Sequence, residues 1–95
     1  MHFILFYDVV PDYVTKRVPL RAEHLALVKD SHAKGDLVLA GALTNPSDGA
    51  VIVFRSAKAA EEFAAADPYV KNGIVTSWRV REWATVIGDG VEPPA

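Results

Sequence analysis

His24 is the side chain in this sequence with the most promising position for proton transfer. It lies in a predicted helix from Pro19 to Lys34, on the inward-facing side between Leu20 and Val28. Histidine is the side chain whose charge changes near neutral pH, which suits it to general acid–base work. The alternative is a structural histidine, because a buried imidazole usually finds a hydrogen-bond partner. Spacing leaves both interpretations open.

Two aspartates are candidates to orient that imidazole. Asp67 ends a predicted helix immediately before Pro68, and Asp8 lies at the end of the first predicted strand. A carboxylate bonded to His24 would fix the ring and raise its basicity, which is the usual logic of general base catalysis. The simpler interpretations are that Asp67 marks a turn before proline and that Asp8 is an ordinary strand-end acid.

Three residues are assigned to substrate binding: Arg21, Asp8 and Tyr7. Arg21 lies one helical turn before His24 and could hold a carboxylate or enolate oxygen in a bidentate grip. Its alternative is an exposed surface arginine of little consequence. Tyr7 belongs to the first strand, which is expected to supply aromatic and aliphatic walls for a small-molecule pocket.

Other chemistries find no support in the sequence. There are no cysteines, and the three histidines show neither clustered carboxylates nor a metal-binding spacing. Glycine-rich phosphate loops and nucleophile elbows are also missing, so we expect no metal and no cofactor. The net charge is −2 and the basic residues are scattered, which argues against nucleic-acid binding.

The bulk composition describes one folded domain. A chain of 95 residues suits a single domain, and 51% apolar against 23% charged residues excludes a disordered chain. We assign the domain to residues 1–87 and expect a flexible tail at 88–95. No signal peptide and no apolar run of membrane-spanning length is evident, so a cytoplasmic protein without membrane contact is expected.

The predicted elements alternate in the order β-α-β-β-α-β. The strands are His2 to Val9, Leu37 to Thr44, Ala50 to Phe54 and Ile74 to Trp83. The helices are Pro19 to Lys34 and Ala57 to Ala66, with one further turn at Tyr69 to Asn72 and a connection from Asp8 to Val18. This order predicts a ferredoxin-like α+β fold with an antiparallel four-stranded sheet, whose first and third strands are central. Gly41 suggests a bulge or a close backbone approach.

The first strand is apolar on both faces, which predicts a homodimer. Phe3, Leu5 and Tyr7 share one face, while Ile4 and Phe6 occupy the other. Two helices can cover only one face of the sheet, and the bare face would be a large apolar patch. A second copy of the same sheet would cover it in a two-fold dimer.

Three segments resemble the YciI-like (YCII-related) family. They are Lys16 to Leu25, Gly35 with Leu37 to Gly41, and the Ala66-Asp67-Pro68-Tyr69-Val70 segment followed by Gly73-Ile74-Val75. The resemblance extends over roughly Met1 to Trp83. Each motif is short, but the three occur in the family's order. Ala42 departs from the family pattern, in which a proline often follows the glycine, and the loop from Asn45 to Gly49 is short.

The resemblance implies a dimeric α+β barrel with a pocket between helix and sheet. It also implies a catalytic histidine–aspartate pair, carried over by motif to His24 and Asp67, and lyase-like or isomerase-like steps on small ring compounds. Two functions follow. The first is a cofactor-free enzyme acting on a small ring or enolisable substrate, with Arg21 neutralising the developing oxyanion. The second is a non-catalytic metabolite-binding or accessory module.

Overall fold

The computed structural model describes residues 1–92, which form a β-α-β-β-α-β arrangement with extra helical turns. The strands are β1 (His2–Val9), β2 (Leu37–Ala42), β3 (Gly49–Phe54) and β4 (Val75–Trp83). The helices are α1 (Tyr13–Lys16), α2 (Arg21–Ala33), α3 (Ala57–Ala66) and α4 (Pro68–Lys71), and a 3₁₀ turn spans Val18–Leu20. In residues 1–92 no helix is long and apolar enough to cross a membrane.

The four strands form one antiparallel sheet in the order β2-β3-β1-β4, which confirms the predicted ferredoxin-like topology. The first and third strands are central, as expected. β1 therefore pairs on both sides, and its Tyr7 lies between Ala50 of β3 and Trp78 of β4. A central strand is the most rigid position that the sheet offers for a functional side chain.

The core lies between one face of this sheet and the helices. Leu5 of β1 and Phe54 of β3 are completely buried, and Phe63 of α3 packs against them. Leu27 and Val28 bring the apolar side of α2 onto the same cluster. Every second side chain of β1 points to this face of the sheet, so Tyr7, two residues after Leu5, also faces the helices and is buried.

The connection between β1 and α2 is more structured than predicted. It contains α1 and the 3₁₀ turn, so the helix expected from Pro19 begins as a regular α-helix only at Arg21. Asp12 precedes α1 with a positive φ of 64°, which aspartate tolerates better than most residues. Tyr13, buried in the core, anchors this short segment.

The glycines of the β2–β3 hairpin have roles different from those expected. The register shift lies between Leu37 and Leu39, so the bulge predicted at Gly41 is wrong, and a Cβ at Gly41 would meet nothing within 4 Å. Gly49 is the position with a close backbone approach, because a Cβ there would lie 2.7 Å from the Tyr7 carbonyl oxygen. β2 also ends at Ala42, two residues before the predicted Thr44.

Among residues 1–92, no helix covers the opposite face of the sheet. Ile4 and Phe6 are half-buried there, and Leu39, which pairs with Val53 on the same face, is 69% exposed. Residues 84–92 follow β4 without forming a helix or strand. The flexible tail predicted for residues 88–95 lies partly outside the described residues, since 93–95 are not described.

Candidate functional site

Asp67 is a completely buried carboxylate at the junction of two helices. It ends α3 and precedes Pro68, the first residue of α4, with the extended backbone (φ −68°, ψ 122°) that a residue before proline favours. Its Oδ1 accepts hydrogen bonds from the backbone N–H of Tyr69 at 3.0 Å and from His24 Nδ1 at 2.9 Å. Its Oδ2 accepts from the Tyr7 hydroxyl at 2.8 Å. Three donors therefore satisfy this buried charge.

The Tyr7 hydroxyl is a permanent donor in this network. Burial raises the pKa of Tyr7 far above its ordinary value of 10.0, and the neighbouring Asp67 carboxylate raises that pKa further. The phenol therefore stays protonated across the physiological range and can only donate to Asp67. Tyr7 comes from β1 and Asp67 from the end of α3, so this bond ties the site to the middle of the sheet.

The imidazole of His24 is held on three sides. Its Nδ1 contacts Asp67, its ring stacks on Tyr69 with centroids 3.9 Å apart and planes 7° apart, and the ring of Phe63 meets it edge-on at 6.3 Å. Only 13% of the side chain is exposed. Because an ionised carboxylate accepts and never donates, we assign the Nδ1–H tautomer, in which Nε2 keeps its lone pair.

His24 and Tyr7 line a cavity of about 210 Å³ between α2 and the sheet. Ala50 and Ile52 of β3 form an apolar wall, and Ala42 lies on the β2 side. Tyr13, Arg17, Arg21 and Tyr69 supply polar and aromatic surface. Apolar walls with a few converging polar groups are typical of small-molecule sites. Asp67 lies behind His24 and does not line the cavity.

The structure brings together four of the five side chains selected from the sequence. His24, Asp67 and Tyr7 form one hydrogen-bonded unit, and Arg21 lines the same cavity. Asp8 is not brought to this site. It follows Tyr7 on β1 and therefore faces the opposite side of the sheet, where its Oδ2 accepts a hydrogen bond from Ser77 at 2.8 Å.

The sequence does not predict three further residues that give the cavity polar or aromatic surface: Tyr13, Arg17 and Tyr69. Tyr13 and Arg17 lie in a segment that the sequence predicts to be a connection, although their spacing of four residues, continued at Arg21, is a helical one. Tyr69 belongs to the Asp-Pro-Tyr segment that carries the family resemblance, and neither its spacing nor that resemblance indicates a role for it. In residues 1–92 no three His, Asp or Glu side chains come close enough to hold a metal ion.

Comparison with solved structures supports the same fold. The chain is similar to 5-chloro-2-hydroxyhydroquinone dehydrochlorinase (TftG) from Burkholderia phenoliruptrix AC1100, in a complex with 2,5-dihydroxybenzoquinone, with a TM-score of 0.70 and 20% identity. That match covers 87% of this chain and 93% of the other. Rv0793 from Mycobacterium tuberculosis matches with a TM-score of 0.53 and 18% identity, covering 94% and 97% of the two chains.

Sequence relatives are found at greater identity. A protein of Haemophilus influenzae is 31% identical, and protein YciI of Escherichia coli is 30% identical. Each match covers 90% of this chain and 99% of the relative. Residues 1–84 match the YCII-related domain. The chain therefore belongs to the YCII-related, or YciI-like, family.

Proposed function

We propose that this protein is a cofactor-free acid–base enzyme in which His24 transfers a proton to or from a small ring or enolisable molecule. The observation that carries this proposal is the buried Asp67 carboxylate bonded to Nδ1 of a histidine that lines a cavity. Nδ1 is occupied, so Nε2 is the nitrogen left for a ligand. The polar groups converge on a space where a small molecule fits.

The proposed step accounts for the proton and the electron pair that it moves. Nε2 takes a proton from a C–H or O–H of the bound molecule, whose electron pair moves onto a conjugated oxygen. The resulting imidazolium is stabilised by Asp67, a positioning residue that holds the Nδ1–H throughout. Return of the proton to another atom gives an isomerisation, and departure of a leaving group, with the proton passed from Nε2 to that group or to solvent, gives an elimination. A well-placed general base contributes about a hundred- to ten-thousand-fold in rate.

The cavity has room for a small substrate. Its volume is about 210 Å³, and a cavity of about 150 Å³ is enough for benzene. A single substituted ring, or an enolisable molecule of similar size, therefore suits it. The structural neighbour TftG is a dehydrochlorinase in a complex with 2,5-dihydroxybenzoquinone, itself a single-ring compound. This supports the substrate class proposed here.

A homodimer is the second part of the proposal. The sheet face without helices carries Ile4, Phe6 and the exposed Leu39, and a second copy would remove that apolar surface from water. Leu39→Asp is the sharpest test, because Leu39 is exposed in the protomer and the change leaves its core intact. Light scattering should give about twice the 10.3 kDa chain mass for the native protein and for the control Ala22→Asp. Leu39→Asp should give a monomer, and a native protein of monomer mass would contradict the proposal.

Proton transfer can be tested before the substrate is known. The protein is incubated in D₂O with single-ring phenols, hydroxyquinones and small 1,3-dicarbonyl compounds, and NMR follows the exchange of their C–H positions. His24→Asn is the matched variant, because its amide can still donate to Asp67 while Nε2 is lost. We expect exchange of at least one compound with the native protein and a loss of about a hundredfold or more in the variant. Binding without any exchange would favour the metabolite-binding module.

A further inference from the structure

Two arginines line the cavity without an acidic partner. Arg17 Nη1 donates to the Tyr13 hydroxyl at 3.1 Å, and its guanidinium carbon lies 4.8 Å from the centre of the Tyr13 ring. This contact fixes Arg17 but does not neutralise it. The ion pairs found in residues 1–92 include neither Arg17 nor Arg21. Arg17 is half-buried and Arg21 is exposed, so two positive charges line the cavity with N–H donors that no acidic side chain of residues 1–92 occupies.

Tyr69 adds a third unused donor at the same end. The residue is 1% exposed, and its hydroxyl proton meets no acceptor in the part of the chain that the structure describes. Arg21 lies close to this hydroxyl but can only donate to it, so the O–H stays available to a ligand oxygen. Stacking on His24 and an edge contact with Tyr13, 6.1 Å between centroids, hold the ring in place.

The electrostatics connect this hydroxyl to both arginines. Burial raises the pKa of Tyr69 and the Tyr13 phenol adds to the rise, while a hydrogen-bonding contact with Arg21 and the charges of Arg21 and Arg17 lower it. The phenol therefore remains a donor at neutral pH, and both guanidinium groups are near enough to influence its charge. Three donors, of which two are cations, thus lie together, and no acidic side chain of residues 1–92 pairs with either cation.

We infer that Arg17, Arg21 and the Tyr69 hydroxyl form a binding site for an anionic oxygen, so that the ligand is a single-ring molecule with a carboxylate or an ionised ring hydroxyl. This inference rests on the proposed function and adds the charge of the substrate to it. Arginine suits this task because its planar guanidinium group can donate two parallel N–H hydrogen bonds to an anionic oxygen group.

The anion site and His24 are adjacent. The Tyr69 ring lies parallel to the imidazole at 3.9 Å, so a ligand oxygen held by the Tyr69 hydroxyl lies close to His24. A proton removed by Nε2 then comes from an atom near the anionic group. The negative charge that remains can spread onto an oxygen that the two arginines already hold.

Calorimetry with four probes tests the inference. Benzoate and 4-nitrophenolate represent the two sources of an anionic oxygen, and benzamide and 4-nitroanisole are their neutral counterparts. At low ionic strength we expect the anions to bind at least about tenfold more tightly than the neutral probes, because hydrogen bonds to charged groups are stronger than those to neutral groups. The tighter of the two anions identifies the source.

Three variants locate the anion site. Arg21→Gln should weaken the anions about tenfold or more, and Tyr69→Phe, which removes only the hydroxyl, should weaken them severalfold. Lys29→Gln removes the same charge from the same helix at an exposed position outside the cavity, so it should change the affinity less than about twofold. Circular dichroism confirms that each variant is folded.

The outcomes separate this inference from the proposed function. Equal binding of anions and neutral probes, no binding of either anion at millimolar concentration, or equal effects of Arg21→Gln and Lys29→Gln would overturn the inference. If the anions bind as expected and His24→Asn does not reduce proton exchange, only the proposed function fails. If exchange depends on His24 while Arg21→Gln and Tyr69→Phe leave anion binding unchanged, only the inference fails.

Discussion

Replacing Asp67 by alanine and by asparagine should have very different effects on stability. Asp67→Ala removes the acceptor of three donors, of which the Tyr7 hydroxyl and the Tyr69 backbone N–H are buried. Each buried donor left without a partner costs about 1–3 kcal/mol. The His24 side chain is 13% exposed and can recover a water. The two buried donors alone therefore cost about 2–6 kcal/mol, a large share of the 5–15 kcal/mol typical of a domain.

Asp67→Asn keeps the shape of the network. The amide oxygen can accept from His24 Nδ1 and the Tyr69 N–H as Oδ1 does, and the amide nitrogen can donate to the Tyr7 oxygen. The hydrogen bonds become neutral and weaker by about 1 kcal/mol each. The burial of a charge, which costs several kcal/mol, is removed at the same time. The two terms largely cancel, so Asp67→Asn should remain within about 2 kcal/mol of the native protein.

The assay is urea unfolding at one fixed protein concentration, followed by the fluorescence of Trp78 and Trp83 of β4. A fixed concentration matters because dimerisation would couple stability to it. We expect Asp67→Ala to lose at least about 2 kcal/mol more than Asp67→Asn. Equal stability of the two variants would refute the view that Asp67 is the common acceptor of the site.

Three further changes test separate parts of the fold. Tyr7→Phe should lower the free energy of unfolding by about 1.5–3 kcal/mol, because it takes one donor from the buried carboxylate. Since the pKa of Tyr7 is raised in the folded state, the native protein should also lose stability above pH ~10, by up to about 1.4 kcal/mol per pH unit. If Tyr7→Phe lost stability with the same alkaline slope, Tyr7 would not be the source of that pH dependence. Gly49→Ala should lower the free energy of unfolding by about 1–3 kcal/mol, because its Cβ would lie 2.7 Å from the Tyr7 carbonyl oxygen. Gly41→Ala, whose Cβ would meet nothing within 4 Å, should leave that free energy unchanged or raise it slightly. Equal urea midpoints for the two variants would argue against the close approach at Gly49. Ser56→Ala should cost about 1 kcal/mol by removing the cap on the Ala59 N–H, and thermal unfolding at an unchanged temperature would exclude that cap.

Local signals in the sequence were sufficient for several elements. α3 has its predicted bounds because Ser56 caps its first turn, alanines favour the helix and Pro68 prevents its continuation. α1 was missed because Pro11 and Asp12 are typical of a turn, and a four-residue helix has too little intrinsic stability to leave a pattern. Its stability comes from the burial of Tyr13, which is a tertiary effect.

The sequence predicts the positions of the two candidate aspartates to different extents. Strand alternation places Asp8 on the face opposite to Tyr7, so its exclusion from the pocket was available from the sequence once the buried face of β1 was known. The contact of His24 with Asp67 joins residues 43 positions apart and depends on how α2 packs beside the end of α3. The sequence alone could nominate that pair but could not exclude a structural histidine. The cytoplasmic location, the flexible tail and the domain limits of 1–87 remain predictions.

The most direct test of the account is the protonation of the His24 ring in the free protein. Long-range ¹H–¹⁵N NMR on selectively labelled histidine distinguishes the two neutral tautomers at a pH where the ring is uncharged. We expect the Nδ1–H form, with an unprotonated Nε2 whose resonance shifts when a ligand binds in the cavity. An Nε2–H form, or an Nε2 resonance that no cavity ligand affects, would contradict the central claim that Asp67 presents His24 as a proton-transfer group.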